Sequence, residues 1–196
     1  MKALLVIDVQ NDFCEGGNLP VKGGNSIVPI INELITNGGF DFVVATKDYH
    51  PAKHVSFAST HNKELYSEHT LKDGTVQRMW PDHCIQGTNG VEFHPDLITD
   101  KFDHVTYKGE DITVDSYSGF FDNNKVHKTD LSDFLKSKNV TEVVVVGLAL
   151  DVCVKFTALD ALSEGFTTSV LVDACKAALD GDAALQELQE AGVKII

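Results

Sequence analysis

The amino-acid sequence predicts an α/β fold: a single domain of three layers, in which a doubly wound, mainly parallel sheet of about six strands lies between helices. The apolar runs are short, continuous and rich in Val, which is typical of strands buried on both faces of a parallel sheet. They alternate with segments of helical periodicity, and right-handed crossovers between such units put helices on both faces. A chain of 196 residues with 43% apolar content suits one domain over residues 1–196, large enough to bury about 70% of its unfolded surface.

The first half of the sequence predicts two strands, a helix and a long loop. In chain order these are the strand ALLVIDV, the helix NSIVPIINELITNGG, whose apolar residues keep helical spacing until two glycines end it, and the strand DFVVATKDYH. A polar stretch with little periodicity then runs from about Pro51 to Gly90. Loops this long in compact domains are usually functional or disordered. The motif WPDHCIQGTNG within it favours an ordered, functional loop.

The second half predicts four further strands, with helices between the last of them. In chain order the segments are the strand HVTYK, the loop GEDITVDSYSGFFDNN, the helix TDLSDFLKSKN, the strand EVVVVGLALDVC, the helix VCVKFTALDALSEG, the strand TSVLVDAC, the helix DGDAALQELQEAG and the strand VKII. One helical segment lies between each of these strands and the next, and after the first strand a loop precedes the helix. This regular alternation is the pattern expected of a parallel sheet.

Charge and cysteine usage exclude some classes of protein. The net charge of −13, with only 16 Lys and Arg, argues against nucleic-acid partners, because polyphosphate would be repelled. The four cysteines form no CxxC pair, and Asp8 interrupts the N-terminal apolar run too early for a signal peptide or a membrane span. We therefore expect a protein of the reducing cytoplasm with no membrane partner.

Three reactive side chains follow predicted strands: Asp8, Lys108 and Cys153. The carboxyl ends of parallel strands meet at one edge of the sheet, so these side chains should lie together. Taken alone, Cys153 suits a buried structural thiol. At a strand-to-helix junction, however, backbone N–H groups and the helix dipole are expected to lower its pKa. Asp8 can then accept the thiol proton and Lys108 can hold the carboxylate, so the set predicts a nucleophile, a base and a cation.

A second set of side chains has the chemistry of metal ligands. Asp48 and His50 alternate on an extended backbone and therefore face the same side, and His83 in the long loop can complete the set. Asp and His ligands without a thiolate leave open positions for water or substrate and suit Zn, Fe or Mn. The competing candidates from the same loop are His54, His61 and His69.

These residues, in this order, resemble the nicotinamidase/pyrazinamidase branch of the isochorismatase-like cysteine hydrolase superfamily. The segments that carry the resemblance are ALLVIDVQNDFCEGGNLPV, KDYHPAKHVSFAS, WPDHCIQGT, YKG with DSYSGF, and GLALDVCVKFTALDA. The Asp-x-His pair and the WPxHC loop indicate the metal-containing branch rather than the isochorismatases. The resemblance covers essentially the whole chain.

The resemblance implies a role for each candidate residue. It makes Asp8, Lys108 and Cys153 the catalytic triad, Asp48, His50 and His83 the metal ligands, the backbone amides of Ala149 and Cys153 the oxyanion hole, and Phe13, Trp80 and Tyr117 the walls around the substrate ring. It also implies a cis peptide bond between Leu148 and Ala149. In relatives with the HPxxHxSF pattern, the histidine equivalent to His54 lies near the site without binding the metal, so His54 is left out of the ligand set.

The resemblance further implies metal-dependent hydrolysis of nicotinamide, and of pyrazinamide, through a cysteine thioester in NAD salvage. One divalent ion is expected, with zinc first and iron or manganese as alternatives. A related amidase acting on another amide or a carbamoyl substrate remains the alternative enzyme, and a catalytically silent metal- or ligand-binding module is the alternative of another class. Assembly into a homo-oligomer is left open.

Overall fold

The computed structural model describes residues 1–196 and contains eight strands and five α-helices. The strands are β1 (Lys2–Ile7), β2 (Phe42–Asp48), β3 (Glu68–Thr70), β4 (Val76–Arg78), β5 (His104–Lys108), β6 (Glu142–Leu148), β7 (Thr167–Lys176) and β8 (Lys194–Ile195). The helices are α1 (Val28–Asn37), α2 (Ala58–His61), α3 (Leu131–Ser137), α4 (Lys155–Ser163) and α5 (Gly181–Ala191).

Six of the strands form one parallel sheet in the order β5-β2-β1-β6-β7-β8. From β1 the chain builds outward through β2 to β5, and then crosses back to place β6 on the other side of β1. The strand order therefore reverses between β1 and β6, and in open α/β sheets ligands bind in the crevice at such a point. The predicted fold class is confirmed.

Both faces of the sheet are covered, which explains why the strands read as continuous apolar runs. Along β1, Leu5 and Ile7 pack in a cluster with apolar residues of α3, α4 and α5. The alternate residues Leu4 and Val6 pack in a second cluster with residues of α1. Because successive side chains of a strand point to opposite faces, a central strand between two helical layers presents apolar side chains on both faces over most of its length.

The structure departs from the prediction where the reactive residues lie. The predicted first strand continued to Val9, but β1 ends at Ile7 because Asp8 adopts a left-handed conformation with φ of 47°. The predicted fourth long strand continued to Cys153, but β6 ends at Leu148. The expected cis bond between Leu148 and Ala149 is present. A π-helical segment, Leu150–Val154, then precedes α4.

The long polar stretch also contains structure that the sequence did not indicate. It includes the single turn α2 and the antiparallel hairpin of β3 and β4, which stands apart from the main sheet. The rest of the stretch is irregular, with isolated bridges that pair His50 with Ile85 and Phe57 with Trp80. None of the helices combines the length and apolar character needed to cross a bilayer.

Candidate active site

Four neighbouring elements bring the predicted reactive residues to one edge of the sheet. Asp8 directly follows β1, while Asp48 and Lys108 are the last residues of β2 and β5 and pair with each other in the sheet register. Cys153 lies in the π-helical segment after β6. The four side chains therefore meet beside the β1–β6 reversal, as the strand ends predicted.

Lys108 lies at the centre of this cluster with its ammonium fully buried. Its Nζ atom is 2.9 Å from Asp8 Oδ2, 2.9 Å from Asp48 Oδ1 and 3.6 Å from Cys153 Sγ. It also donates a hydrogen bond of 2.9 Å to the carbonyl oxygen of Ser116. An ammonium has three hydrogens, and here they face four partners. The lysine thus connects the thiol to two carboxylates.

The two oxygens of the Asp8 carboxylate are not equivalent. Oδ1 accepts a hydrogen bond of 2.6 Å from the Thr46 hydroxyl. Oδ2 lies close to the lysine ammonium, yet it receives no well-aligned hydrogen bond from any protein donor. The Cys153 thiol faces the same carboxylate. An unsatisfied, buried carboxylate oxygen beside a thiol is a suitable proton acceptor.

Burial controls the protonation of these groups. Burial raises the pKa of Asp8, and the nearby Lys108 ammonium only partly offsets that effect. Burial also raises the pKa of the Cys153 thiol well above its usual value, again against the influence of Lys108. The expected lowering of the thiol pKa is therefore wrong, because loss of solvent outweighs the cation. A thiol with a raised pKa is activated as a nucleophile by a base that takes its proton.

The predicted metal ligands also converge. Ligand atoms of Asp48, His50 and His83 all lie within 4.8 Å of one another, and the three residues are buried. His50 Nδ1 lies 2.9 Å from the carbonyl oxygen of Gly109, and His83 Nδ1 lies 2.6 Å from that of Pro81. We assign the ring hydrogens to these Nδ1 atoms, since a carbonyl can only accept. The Nε2 lone pairs of both rings are then left facing the carboxylate.

The positions of these Nε2 lone pairs indicate whether a metal ion fits between the three residues. His50 Nε2 and His83 Nε2 lie 3.1 and 3.4 Å from the same oxygen, Asp48 Oδ2. Three acceptors without a hydrogen between them repel one another unless a cation or an added proton joins them. Imidazoles oriented through Nδ1 by carbonyl groups are common around bound metals. The three residues therefore fit one divalent cation.

The other histidines of the long loop do not complete this set. His54 stacks on His50 with ring centroids 4.0 Å apart. Its Nδ1 lies 2.8 Å from the Ser56 hydroxyl and its Nε2 lies 3.2 Å from the carbonyl oxygen of Val114. Burial lowers its pKa to about 4, with a further contribution from His50. His54 is thus a neutral neighbour of a candidate ligand, while His61 and His69 pair with each other outside the site.

A pocket opens onto both groups of residues. Nine of its twelve lining residues are apolar, and they include the predicted aromatic walls Phe13, Trp80 and Tyr117. The Trp80 indole donates a hydrogen bond of 3.1 Å to the Tyr117 hydroxyl. The Ala149 N–H group, which borders this pocket, donates to no acceptor within the protein. The lining residues that the sequence did not single out are Leu19, Val21, Asp115, Val152 and Ala178.

Two residues that the sequence analysis did not single out fix the candidate ligands. The Gln10 side chain accepts from the N–H of Asp48 at 2.9 Å and donates to its carbonyl oxygen at 2.8 Å. Asp12 Oδ2 accepts a hydrogen bond of 2.7 Å from the N–H of Cys84, next to His83. The sequence signal that could have identified Gln10 and Asp12 is the segment DVQNDF, in which several polar residues follow the first strand.

The fold and the site together define a class of protein. A doubly wound α/β protein in which a cysteine, a carboxylate and a lysine lie beside a three-ligand cation site has the arrangement of a cysteine hydrolase. The sequence profile of the isochorismatase domain matches residues 2–196. The chain belongs to the isochorismatase family.

The individual proteins to which this chain is similar include nicotinamidases and pyrazinamidases. The nicotinamidase of Escherichia coli K12 is 44% identical, with 99% of this chain and 93% of that protein covered. The structure of the Acinetobacter baumanii nicotinamidase/pyrazinamidase is 45% identical, with a TM-score of 0.94 and coverage of 100% and 95%. The zinc complex of Pyrococcus horikoshii pyrazinamidase is 36% identical, with a TM-score of 0.81 and coverage of 100% and 98%.

Proposed function

We propose that this protein hydrolyses nicotinamide to nicotinate and ammonia, and pyrazinamide to pyrazinoate and ammonia, through a thioester on Cys153. The observation that carries the proposal is the contact between the buried Lys108 ammonium, the unsatisfied Oδ2 of Asp8 and the sulfur of Cys153, in a pocket with aromatic walls. Aromatic walls suit a flat heteroaromatic ring. The similarity to nicotinamidases over nearly the full chain supports the choice of amide.

The first half of the reaction forms the thioester. Asp8 Oδ2 takes the thiol proton while the sulfur of Cys153 bonds to the carboxamide carbon, and the carbonyl electrons move to oxygen. The N–H groups of Ala149 and Cys153 stabilise this oxyanion, and one such donor contributes roughly 3 to 4 kcal/mol in comparable sites. Asp8 then gives its proton to the amide nitrogen, the carbon–nitrogen bond breaks, and ammonia leaves.

The second half regenerates the thiol. A water molecule gives a proton to Asp8 and bonds to the thioester carbon, after which the carbon–sulfur bond breaks and the sulfur recovers a proton from Asp8. Lys108 keeps the Asp8 carboxylate in position and stabilises its charged form throughout. The resting state of this cycle is a neutral thiol and an ionised Asp8.

Asp48, His50 and His83 are the residues that would hold the divalent ion of this enzyme. When bound, the ion would act as a Lewis acid in the pocket and orient a heteroaromatic nitrogen or a water molecule. Zinc is proposed first, supported by the zinc complex of the Pyrococcus pyrazinamidase. Iron and manganese suit the same ligand types.

The test is ammonia release from nicotinamide by the purified protein, before and after chelation, and with Zn, Fe or Mn restored. We expect activity that disappears on chelation and returns with at least one of the metals. No ammonia from a folded, metal-loaded protein would reject nicotinamide as substrate. Activity that survives complete removal of metal would reject the metal requirement alone.

The covalent step has a separate test. Cys153→Ala is expected to keep its fold and its bound metal but to lose turnover by several orders of magnitude, because removal of a nucleophile disables the whole set of residues that acts with it. Cys175→Ala is the matched control, since this thiol is buried outside the pocket. Appreciable ammonia release by Cys153→Ala would reject the thioester.

A further inference from the structure

Arg78, the last residue of β4, is the only arginine in the chain. Its side chain is partly buried, and its guanidinium lies 5.9 Å from the centroid of the Trp80 ring. No carboxylate lies within ion-pair distance of it. A partly desolvated cation without a counterion is costly, and it is unexpected in a chain with a net charge of −13.

The groove around Arg78 adjoins the active-site pocket. The two share three lining residues, Trp80, Tyr117 and Val152. The aromatic pair Trp80 and Tyr117 therefore forms a wall with the candidate catalytic residues on one side and Arg78 on the other. The groove that contains Arg78 therefore adjoins the pocket across this aromatic pair.

The other charged side chains in the groove already have ion-pair or hydrogen-bond partners. Lys155 pairs with Glu187 at 2.8 Å. Asp180 accepts a hydrogen bond from the N–H of Ala183 at the start of α5. The carboxylate of Asp151 accepts hydrogen bonds from three successive backbone N–H groups, those of residues 178–180. Arg78 is thus the one charged side chain of the groove with neither an ion-pair nor a hydrogen-bond partner, while Asp151 and Asp180 remain formally negative.

The geometry points to Arg78 as a specificity-determining residue in the groove beside the pocket, whose charge favours the aromatic carboxylate product over the neutral amide substrate. This inference rests on the proposed function, in which a neutral amide enters and a carboxylate leaves. Arg78 lies behind the pocket wall, away from the reacting atoms, and so acts on the charge of the ligand. Its consequence is product retention, and therefore inhibition by accumulated product.

The expected effect is modest. Two unit charges about 10 Å apart near a protein surface, with an effective dielectric constant of about 20 and a Debye length of about 8 Å in physiological salt, correspond to roughly a twofold change in affinity. The same screening predicts that the effect fades as salt is raised, whereas a packing contact between Arg78 and Trp80 would not respond to salt.

The experiment uses Trp80, the only tryptophan, as a fluorescent reporter of binding. Nicotinate and nicotinamide are titrated separately into the metal-loaded Cys153→Ala protein, alone and with Arg78→Gln, Arg78→Lys or Lys72→Gln added. We expect Arg78→Gln to raise the Kd of nicotinate about twofold more than that of nicotinamide. Arg78→Lys should keep most of the preference, and 0.5 M NaCl should remove most of the difference.

Lys72→Gln is the control because it removes the same charge from an exposed position outside the groove. An equal loss for both ligands with Arg78→Gln would assign Arg78 to packing against Trp80 and overturn the inference. So would an equal shift with Lys72→Gln, or no shift at all. Failure of the proposed function would be seen separately, as absence of ammonia release by the protein that retains Cys153.

Discussion

A buried thiol beside a buried carboxylate determines the pH behaviour expected of this site. The pKa of Asp8 is raised by burial, and the base must be ionised to accept a proton. kcat/KM should therefore fall on the acid side as Asp8 becomes protonated, at a pH above that of an ordinary carboxyl near 3.8. A pH–rate profile with metal content measured at each point checks this. An acid limb at the ordinary value, with metal retained, would contradict it.

Burial also determines how fast the Cys153 thiol is expected to react with an alkylating reagent. Because burial raises the pKa of Cys153 well above its usual value of 9.0, alkylation by iodoacetamide in the absence of substrate should be slow at pH 7 and should accelerate only above about pH 9. Mass spectrometry of the peptide that contains Cys153 measures the rate. Rapid alkylation at neutral pH would indicate a resting thiolate and remove the need for Asp8 as the base.

Gly109 shows how one backbone position can control the candidate metal site. Its φ is +68°, its carbonyl oxygen orients His50, and a Cβ atom built on it would lie 2.5 Å from His50 Cε1. Gly109→Ala should therefore displace the imidazole and lower metal affinity by roughly 10- to 100-fold, the usual cost of disturbing a group that orients a ligand. Metal titration by calorimetry measures the change.

Gly39 provides the matched control. Its φ of +67° is nearly the same, but an added Cβ would meet nothing within 4 Å. Gly39→Ala carries the cost of a left-handed residue, about 1 to 2 kcal/mol, without the collision. If both variants lose metal affinity equally, backbone strain rather than contact with His50 is responsible.

At the scale of elements, the six strands of the main sheet were predictable, because the apolar runs and the reactive residues that follow several of them indicate the same elements. HVTYK corresponds residue for residue to β5, and the predicted last helix differs from α5 only by its capping residues, Asp180 and Gly192. The π-helical segment was not predictable, because its apolar residues continue the pattern of β6. The hairpin of β3 and β4 was missed because its strands have three residues each and carry mostly polar side chains.

Asp151 in the π-helical segment is expected to contribute to the stability of the fold. Asp151, two residues before Cys153, accepts hydrogen bonds of 2.8, 2.6 and 2.8 Å from the backbone N–H groups of residues 178–180. Asp151→Ala removes all three acceptor contacts and should lower the free energy of unfolding by about 1 to 3 kcal/mol. Asp173→Ala removes the same charge from an exposed position. Urea denaturation of both variants separates the two effects, and equal destabilisation would contradict the prediction.

At the scale of the whole molecule, bound metal should stabilise the native chain. The candidate ligands are Asp48 at the end of β2, His50 two residues later and His83 in the long loop. Only the folded chain brings these three residues together. A ligand present at 100 times its Kd stabilises by about 2.7 kcal/mol. For a chain of this size that corresponds to a rise in Tm of about 5 to 10 °C.

Differential scanning calorimetry with and without chelator measures this difference. In His83→Ala, which lacks one of the candidate ligands, the Tm should be nearly the same in both conditions. A chelator-sensitive Tm that persists in this variant would place the stabilising metal elsewhere. The state of assembly remains a prediction, and sedimentation in the same buffers measures it directly.

The position of Lys108 has a consequence for how such a site can change over time. One ammonium lies 2.9 Å from a carboxylate oxygen of both Asp8 and Asp48, so the groups proposed for proton transfer and for metal binding have a common counterion. Loss of either carboxylate leaves the other with a different electrostatic environment. Loss of Asp48, whose charge contributes to the raised pKa of Asp8, would therefore alter the proposed base as well as remove a candidate metal ligand.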